Sequence, residues 1–378
     1  MLKKAFSILV CFSLFLPCFT AFVNGEWLSI SAESAIVMNA LTGEVVYSKN
    51  PYEKRGIAST TKIMTSLLAL ETSELDRKIT VTKDDVEVEG TSIHLKAGDE
   101  ITISDLVKGM LLESGNDAAN VTARAIGGSI EDFAILMNNR ARSLGMFSTG
   151  FRNPSGLTEE GHYSTAYDMA LLSSAAILNK NFRAICSLSS AKATYGEEEH
   201  TFYNHNKFLN KYDGAFGIKT GFTKASGRCL VTAVQSGSVI YVAVTLNAPD
   251  DWNDHVKMMD FAFNNTTTSY VDVDTSDVNV SVVGADARSL RVEAASPMAI
   301  HSVKGYSDYD LVFYVPRFVY AGVNKGDVAG RVDLISKNDV VIDSSTLVFK
   351  SDASENVAEN KKTSLFDRLK NKFRKGLS

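Results

Sequence analysis

The spacing of apolar positions changes several times along the chain, and each change predicts an element. Ala35-Ile36-Val37-Met38 and Val45-Val46-Tyr47 are short apolar runs either side of Thr42-Gly43-Glu44, which predicts strand, turn, strand. From residue 59 the period becomes helical. Ile63, Leu67 and Leu70 fall on one stripe, with Met64 and Leu68 beside it, predicting a helix over 59–70. Further helices are predicted from Ser104 to Leu112, with Asp105 in the first turn, and over 118–126 and 130–144. Another covers 165–178, capped by Ser164 or Thr165 with Asp168 in its first turn. Asn153-Pro154-Ser155-Gly156 is a loop. Strands return over 217–220, 229–234 and 239–246, and a helix over 254–263 closes this part.

The composition shifts at Asn264-Asn265-Thr266-Thr267-Thr268. Beyond it come short β-branched runs separated by Gly, Asn and Asp, such as Val278-Asn279-Val280-Ser281-Val282 and Leu311-Val312-Phe313-Tyr314-Val315. The expectation is an α+β unit over 26–268 followed by a small all-β domain over 275–350. There is no internal repeat.

The two ends have their own patterns. Lys3 and Lys4 precede an apolar stretch from Ala5 to Phe22, and small residues follow at Ala21 and Gly25. That is an export signal over 1–25, too short for a span and interrupted by Pro17. Residues 351–378 begin polar. They end with Leu365, Phe366, Leu369, Phe373 and Leu377 at helical spacing among Lys361, Lys362, Arg368, Lys370, Lys372, Arg374 and Lys375. The expectation is a linker and a basic amphipathic helix lying on an anionic membrane surface. The protein is therefore expected at the outer face of the cytoplasmic membrane, peripherally held.

Composition adds limits. The 378 residues, 45% of them hydrophobic, are enough for two cores. A net charge of −5 argues against a nucleic-acid partner. Cys11 and Cys18 leave with the signal, and Leu16-Pro17-Cys18 is a poor lipidation site. Cys186 and Cys229 remain. A disulfide between them is open to an exported chain, but the apolar run Cys229-Leu230-Val231-Thr232-Ala233-Val234 favours buried free thiols.

Three short motifs carry candidate chemistry: Ser59-Thr60-Thr61-Lys62, Ser114-Gly115-Asn116 and Lys219-Thr220-Gly221. A serine hydroxyl is a weak nucleophile without an adjacent base. Ser59 and Lys62 are three apart at a helix start and share a face. Lysine serves as a base only if its pKa is lowered, which burial and a second cation, here Lys219, would both do. Each motif alone is a weak signal. Ser189-Ser190-Ala191-Lys192 repeats the first, but the polar segment after it marks an exposed decoy. The six histidines show no metal-ligand spacing, and there is no glycine-rich phosphate loop, so neither metal nor cofactor is called for. All three motifs in order, on helix, loop and strand, are the mark of penicillin-binding proteins and class A β-lactamases, here with Gly115 where the lactamases have Asp.

The chain resembles the low-molecular-mass penicillin-binding proteins, the serine-type D-alanyl-D-alanine carboxypeptidases of the peptidase S11 family. The resemblance is carried by Ala58 to Thr65, by Leu111 to Ala119, by Asn153-Pro154-Ser155-Gly156-Leu157 with Gly161 to Asp168, and by Gly217-Ile218-Lys219-Thr220-Gly221-Phe222-Thr223. It implies a transpeptidase-like domain, an antiparallel sheet covered by helices. It implies Ser59 as nucleophile and Lys62 as its base, Ser114 as proton relay and Asn116 as the group orienting Lys62. It also implies Lys219 with Thr220 and Gly221 as the carboxylate site, and the amides of Ser59 and Phe222 as the oxyanion hole. The partners implied are peptidoglycan stem peptides, with β-lactams as covalent inhibitors. Gly56, where the family often has proline, and Ala215-Phe216 depart from the pattern away from the chemistry. The rival readings are a β-lactamase of the same fold, with Glu159 or Glu160 as deacylating base, and a non-catalytic cell-wall scaffold. An endopeptidase would share every motif.

Overall fold

The computed structural model describes residues 28–72 and 74–355. The predicted export signal and the basic tail lie outside these residues.

β1 (Ser34–Asn39) and β2 (Val45–Lys49) form the expected hairpin. The helix predicted over 59–70 is two pieces, a 3-10 turn at Ala58–Thr61 and helix α1 (Lys62–Leu70). β3 (Lys78–Thr80), the one-turn α2 (Lys83–Val86) and β4 (Glu100–Thr102) follow. The helical layer continues with α3 (Ile103–Leu112), α4 (Asn116–Gly127), α5 (Ile130–Ser143), α6 (Ala166–Leu178) and α7 (Lys180–Cys186). Thr102, two residues before the expected Ser104, caps α3 by accepting from the Asp105 amide at 3.1 Å. Thr165 caps α6 in the same way, accepting from the Asp168 amide at 3.0 Å.

The hairpin of β5 (Ser190–Tyr195) and β6 (Glu198–Tyr203) precedes β7 (Ala215–Thr223), β8 (Gly227–Ser236), β9 (Val239–Leu246) and α8 (Asp251–Asn264). The central sheet has the order β2-β1-β9-β8-β7, antiparallel throughout. β1 and β9 are buried along their whole length because both faces of the sheet are covered. On one face Val37, Val234, Tyr241 and Ala243 meet Met258 and Met259 of α8. On the other, Ile36, Met38, Val231 and Val244 meet Ile63, Leu67, Met110 and Met169 of the helical layer. Side chains of this size contribute about 1.5–3 kcal/mol each on full burial, enough to hold α1 rigidly under the sheet.

β7 departs from regular pairing at one residue. Gly217 pairs with Thr232 and Lys219 pairs with Val231, so Ile218 is an inserted bulge. Phe216 and Ile218 pack into the helical-layer core. Strict alternation would then send Lys219 towards α8. The bulge instead gives Lys219 the face of its partner Val231, on the helical-layer side.

The second unit contains β10 (Thr267–Val271), β11 (Asn279–Val283), β12 (Ser289–Ala294), β13 (Met298–Ser302), β14 (Tyr309–Tyr314), β15 (Phe318–Tyr320), β16 (Val328–Ser336) and β17 (Val341–Phe349). β10 pairs with β13, which puts Thr267 and Thr268 into this unit. The larger sheet runs β14-β16-β17-β12-β11-β15. Its core is built from Val280, Leu290, Val292, Met298, Ile300, Val332 and Phe349. The two units meet at the β1–β2 turn. The Glu44 carboxylate accepts from the amides of Val303 and Lys304, each at 3.1 Å, and Asn39 Nδ2 donates to the His301 carbonyl at 3.1 Å. Cys186 and Cys229 are both free and buried. Among the described residues no helix is long and apolar enough to cross a membrane.

Candidate active site

The 3-10 turn explains why Ser59 and Lys62 meet. With three residues per turn, positions i and i+3 eclipse one another. Lys62 Nζ is 3.1 Å from Ser59 Oγ. It also donates to Asn116 Oδ1 at 2.6 Å and to the Ser155 carbonyl at 2.7 Å. Ser59 is half-buried, whereas Lys62 has no exposure. Burial drives the Lys62 pKa well below 10.5, and the Lys219 cation pushes it further, against a smaller pull from Asp117. A neutral amine has two hydrogens and one lone pair. The Asn116 Oδ1 and Ser155 carbonyl oxygens can only accept, so they take both hydrogens. The lone pair is left for the Ser59 hydroxyl, which is the arrangement of a general base.

Three supports hold this geometry. Asn116 opens α4, and its Nδ2 donates to the Glu89 carbonyl at 2.5 Å, which turns Oδ1 towards Lys62. The buried Asp117 carboxylate accepts from the amides of Ile93 at 3.0 Å and Leu95 at 3.1 Å and from Ser92 Oγ at 2.6 Å. The loop over 153–157 presents the Ser155 carbonyl. Asn153 Oδ1 accepts from the Gly156 amide at 2.8 Å, and Thr65 Oγ1 donates to the Pro154 carbonyl at 2.7 Å.

His162 ties that loop region to the 3-10 turn. Its Nδ1 accepts from the Arg152 amide at 3.1 Å, so Nε2 carries the hydrogen and donates to Thr61 Oγ1 at 2.8 Å. Burial lowers its pKa to about 4, which keeps the ring neutral. Held by these two bonds, His162 has a structural role.

Ser114 follows α3 in a left-handed conformation, φ 65°, and Ala58 before Ser59 has φ 47°. Strained non-glycine residues thus flank the site on both motifs. The 112–114 turn is strapped by the β5–β6 hairpin end, where Glu113 Oε1 accepts from the Tyr203 amide at 2.6 Å. Ser114 is buried, and among the described residues its hydroxyl makes no hydrogen bond with Lys62 or Lys219.

On β7, Lys219 is 2% exposed and donates to the Thr220 carbonyl at 2.9 Å. Burial lowers its pKa to about 7. A Cβ on Gly221 would lie 3.0 Å from the Ser59 nitrogen and 3.1 Å from that of Thr60, so only glycine lets β7 run this close. Thr220 and Gly221 are half-buried, and Phe222 is 66% exposed at the rim. Gly56 is a similar close approach, since its Cβ would meet Ser226 Oγ at 2.3 Å.

The structure therefore joins Ser59, Lys62 and Asn116 by hydrogen bonds and sets Lys219 and Gly221 against them. Ser155, Asp117, Thr61 and His162 were not singled out as site residues from sequence. The Ser155 contact is made by its carbonyl, which carries no residue-type signal. Ser189 and Lys192 lie exposed, Ser189 just before β5 and Lys192 on it, and Lys192 pairs with Glu199 at 2.7 Å. Among the described residues no cluster of His, Cys, Asp or Glu is arranged to hold a metal ion.

Comparisons with known proteins identify the family. The family model described as D-alanyl-D-alanine carboxypeptidase, peptidase S11, matches residues 21–250. The chain is 32% identical over 332 residues to the D-alanyl-D-alanine carboxypeptidase DacF of Bacillus subtilis, covering 84% of this chain and 85% of that one. It is 31% identical over 345 residues to DacC of Escherichia coli, covering 85% and 84%. Among solved structures it is similar to the D-alanyl-D-alanine carboxypeptidase DacD of Francisella tularensis, with TM-score 0.62, 25% identity and coverage of 87% and 95%. It is also similar to the Streptomyces K15 DD-transpeptidase, with TM-score 0.60, 31% identity and coverage of 62% and 98%. A sheet covered by helices, with three motifs meeting at one serine, is thus accounted for: the chain belongs to the D-alanyl-D-alanine carboxypeptidase family, peptidase S11.

Proposed function

We propose that the chain removes the terminal D-alanine from peptidoglycan stem peptides through an acyl-enzyme on Ser59. The observation that carries this is the Lys62 amine, with both hydrogens taken by Asn116 and Ser155 and its lone pair towards Ser59 Oγ at 3.1 Å. Ser59 Oγ bonds to the carbonyl carbon of the penultimate residue while Lys62 takes the hydroxyl proton. The amides of Ser59 and Phe222 stabilise the oxyanion, each such donor being worth about 10²–10³ in rate. The C–N bond to the terminal D-alanine breaks, and its nitrogen receives a proton through Ser114. Water then attacks the ester and restores Ser59.

Lys219 and Thr220 hold the terminal carboxylate. β-Lactams would enter as mimics of the dipeptide and acylate Ser59. Glu159 is exposed and accepts from Asn153 Nδ2 at 3.0 Å, which disfavours the lactamase reading. Export through residues 1–25 and retention by the basic stripe of 361–378 would keep the protein at the outer membrane face, beside the wall.

Labelled penicillin should attach at Ser59, and Ser59→Ala should abolish both labelling and D-alanine release from a pentapeptide ending in D-Ala-D-Ala. Labelling that survives Ser59→Ala, or that maps to Ser189, overturns the assignment.

A further inference from the structure

The second unit leaves an aromatic ladder uncovered at one edge of its sheet. β15 is the edge strand and pairs in parallel with β11, Ser281 with Phe318 and Val283 with Tyr320. Phe318 and Tyr320 are two apart and so share a face, with Val283 on the adjacent strand. Their exposures are 49% for Phe318, 70% for Tyr320 and 48% for Val283. The two rings pack edge to face with centroids 5.6 Å apart, which keeps the ladder a single ordered surface. Val280 and Val282 of β11 point the other way, into the core.

The position of the chain end says what meets this face. Ala353 bridges to Val323 and Glu355 bridges to Ala285. Those partners lie just beyond Tyr320 and Val283, so the chain leaves the described residues beside the ladder. Residues 356–364 separate Glu355 from Leu365, a connector reaching about 30 Å when extended. The stripe Leu365, Phe366, Leu369, Phe373 and Leu377 with its lysines and arginines follows directly.

We propose that Phe318, Tyr320 and Val283 form a second membrane contact, entering the headgroup region of the bilayer on which the tail lies. This rests on the tail's membrane role proposed above. Tyrosine and phenylalanine suit that depth, with an apolar body and, in tyrosine, a hydroxyl for water and headgroups. Charge alone does not recruit this edge, because Arg317 and Arg288 there are matched by Asp286 and Glu355. The ladder acts by insertion once the tail has brought it close. Two contacts would also fix the orientation of the second unit on the bilayer, which a single contact would leave free to rotate.

The test uses the chain from residue 26 to 378 and sucrose-loaded vesicles of phosphatidylglycerol and phosphatidylcholine. Phe318→Ser with Tyr320→Ser should weaken partitioning about tenfold, the equivalent of about 1.4 kcal/mol. Turnover of a small soluble D-Ala-D-Ala peptide should be unchanged. In Phe318→Trp, the added indole fluorescence should be quenched by brominated lipid, and deleting residues 361–378 should abolish that quenching. Full-strength partitioning by the double serine variant, or an unquenched indole on vesicle-bound protein, overturns the ladder and leaves the tail as sole anchor. A blue-shifted indole without lipid, lost on tail deletion, would mean that the tail itself covers the face. Concentration-dependent dimers lost in the serine variant would mean a second copy does. Either result also overturns the proposal. Failure of the unmodified chain to bind vesicles at all overturns the tail reading, and the ladder with it.

Discussion

A Cβ on Gly156 would lie 1.8 Å from the carbonyl oxygen of Ala58. The first residue has φ 88° and the second φ 47°, so two left-handed residues meet where the 153–157 loop sits on the turn that carries Ser59. The contact leaves no slack between the peptide that offers the Ser155 carbonyl and the peptide that precedes Ser59.

Gly156→Ala should therefore damage both stability and chemistry. The methyl must displace backbone, and the left-handed conformation adds about 1–2 kcal/mol of strain for a residue with a Cβ. We expect a loss of at least about 2 kcal/mol in denaturant unfolding, with slowed penicillin acylation in the protein that remains folded. Acylation and unfolding both like the parent's would show that the loop can retreat without cost.

Lys62→Arg keeps a cation in place but stays protonated at every working pH. Acylation should fall by about 10²–10⁴, the contribution of a positioned general base. Asn116→Ala should give a smaller loss and a shifted pH profile, because Lys62 keeps the Ser155 carbonyl but loses one acceptor. Rapid acylation by Lys62→Arg would remove Lys62 from the role of base.

With its pKa at about 7, Lys219 loses its charge as the pH rises through neutrality. A free-acid substrate should show KM rising above pH 7, whereas the corresponding amide should not. Lys219→Ala should penalise the free acid far more than the amide. Equal penalties on both substrates would assign Lys219 a packing role alone.

His162 has a folded pKa of about 4 against an ordinary 6.5. Between those values the unfolded chain binds a proton that the folded one refuses, so stability falls as pH drops through that window. The limit is on the order of 3 kcal/mol. His255, lowered to about 3 by burial, acts in the same direction. His162→Gln can keep both hydrogen bonds without titrating. It should flatten, but not abolish, the acid limb of the melting temperature between pH 6.5 and 4. An unaltered slope would mean that His162 is protonated in the folded protein.

Period and caps made the sheet and most helices legible in the sequence. Ile63, Leu67 and Leu70 mark α1, and Thr165 with Asp168 marks the start of α6. The α7 helix and the β5–β6 hairpin were missed. Lys180–Cys186 is only 7 residues long and follows α6 without a breaker, and the hairpin exposes Ser190, Lys192, Thr194, Glu199 and Thr201 between its buried positions. Ser59, Lys62, Asn116 and Lys219 were legible because their chemistry is in the side chain. The Ser155 carbonyl was not, because any residue can supply one. The 3-10 character of Ala58–Thr61 was hidden as well, since an α-helix and a 3-10 turn share the same apolar spacing over four residues.

The bulge at Ile218 divides β7 into two reading frames. From Lys219 onward, odd-numbered residues turn towards Ser59, whereas before Ile218 the even-numbered Phe216 faces that side. Regular pairing through Ile218, with every residue kept, would carry the upstream alternation on unbroken. Lys219 and Gly221 would then turn towards α8, and Thr220 and Phe222 would face Ser59, with the Thr220 side chain where only a hydrogen atom fits. The spacing within Lys219-Thr220-Gly221 would be intact and the motif would still be visible in the sequence, yet the carboxylate site would be gone. For this strand the pairing register matters as much as the motif itself.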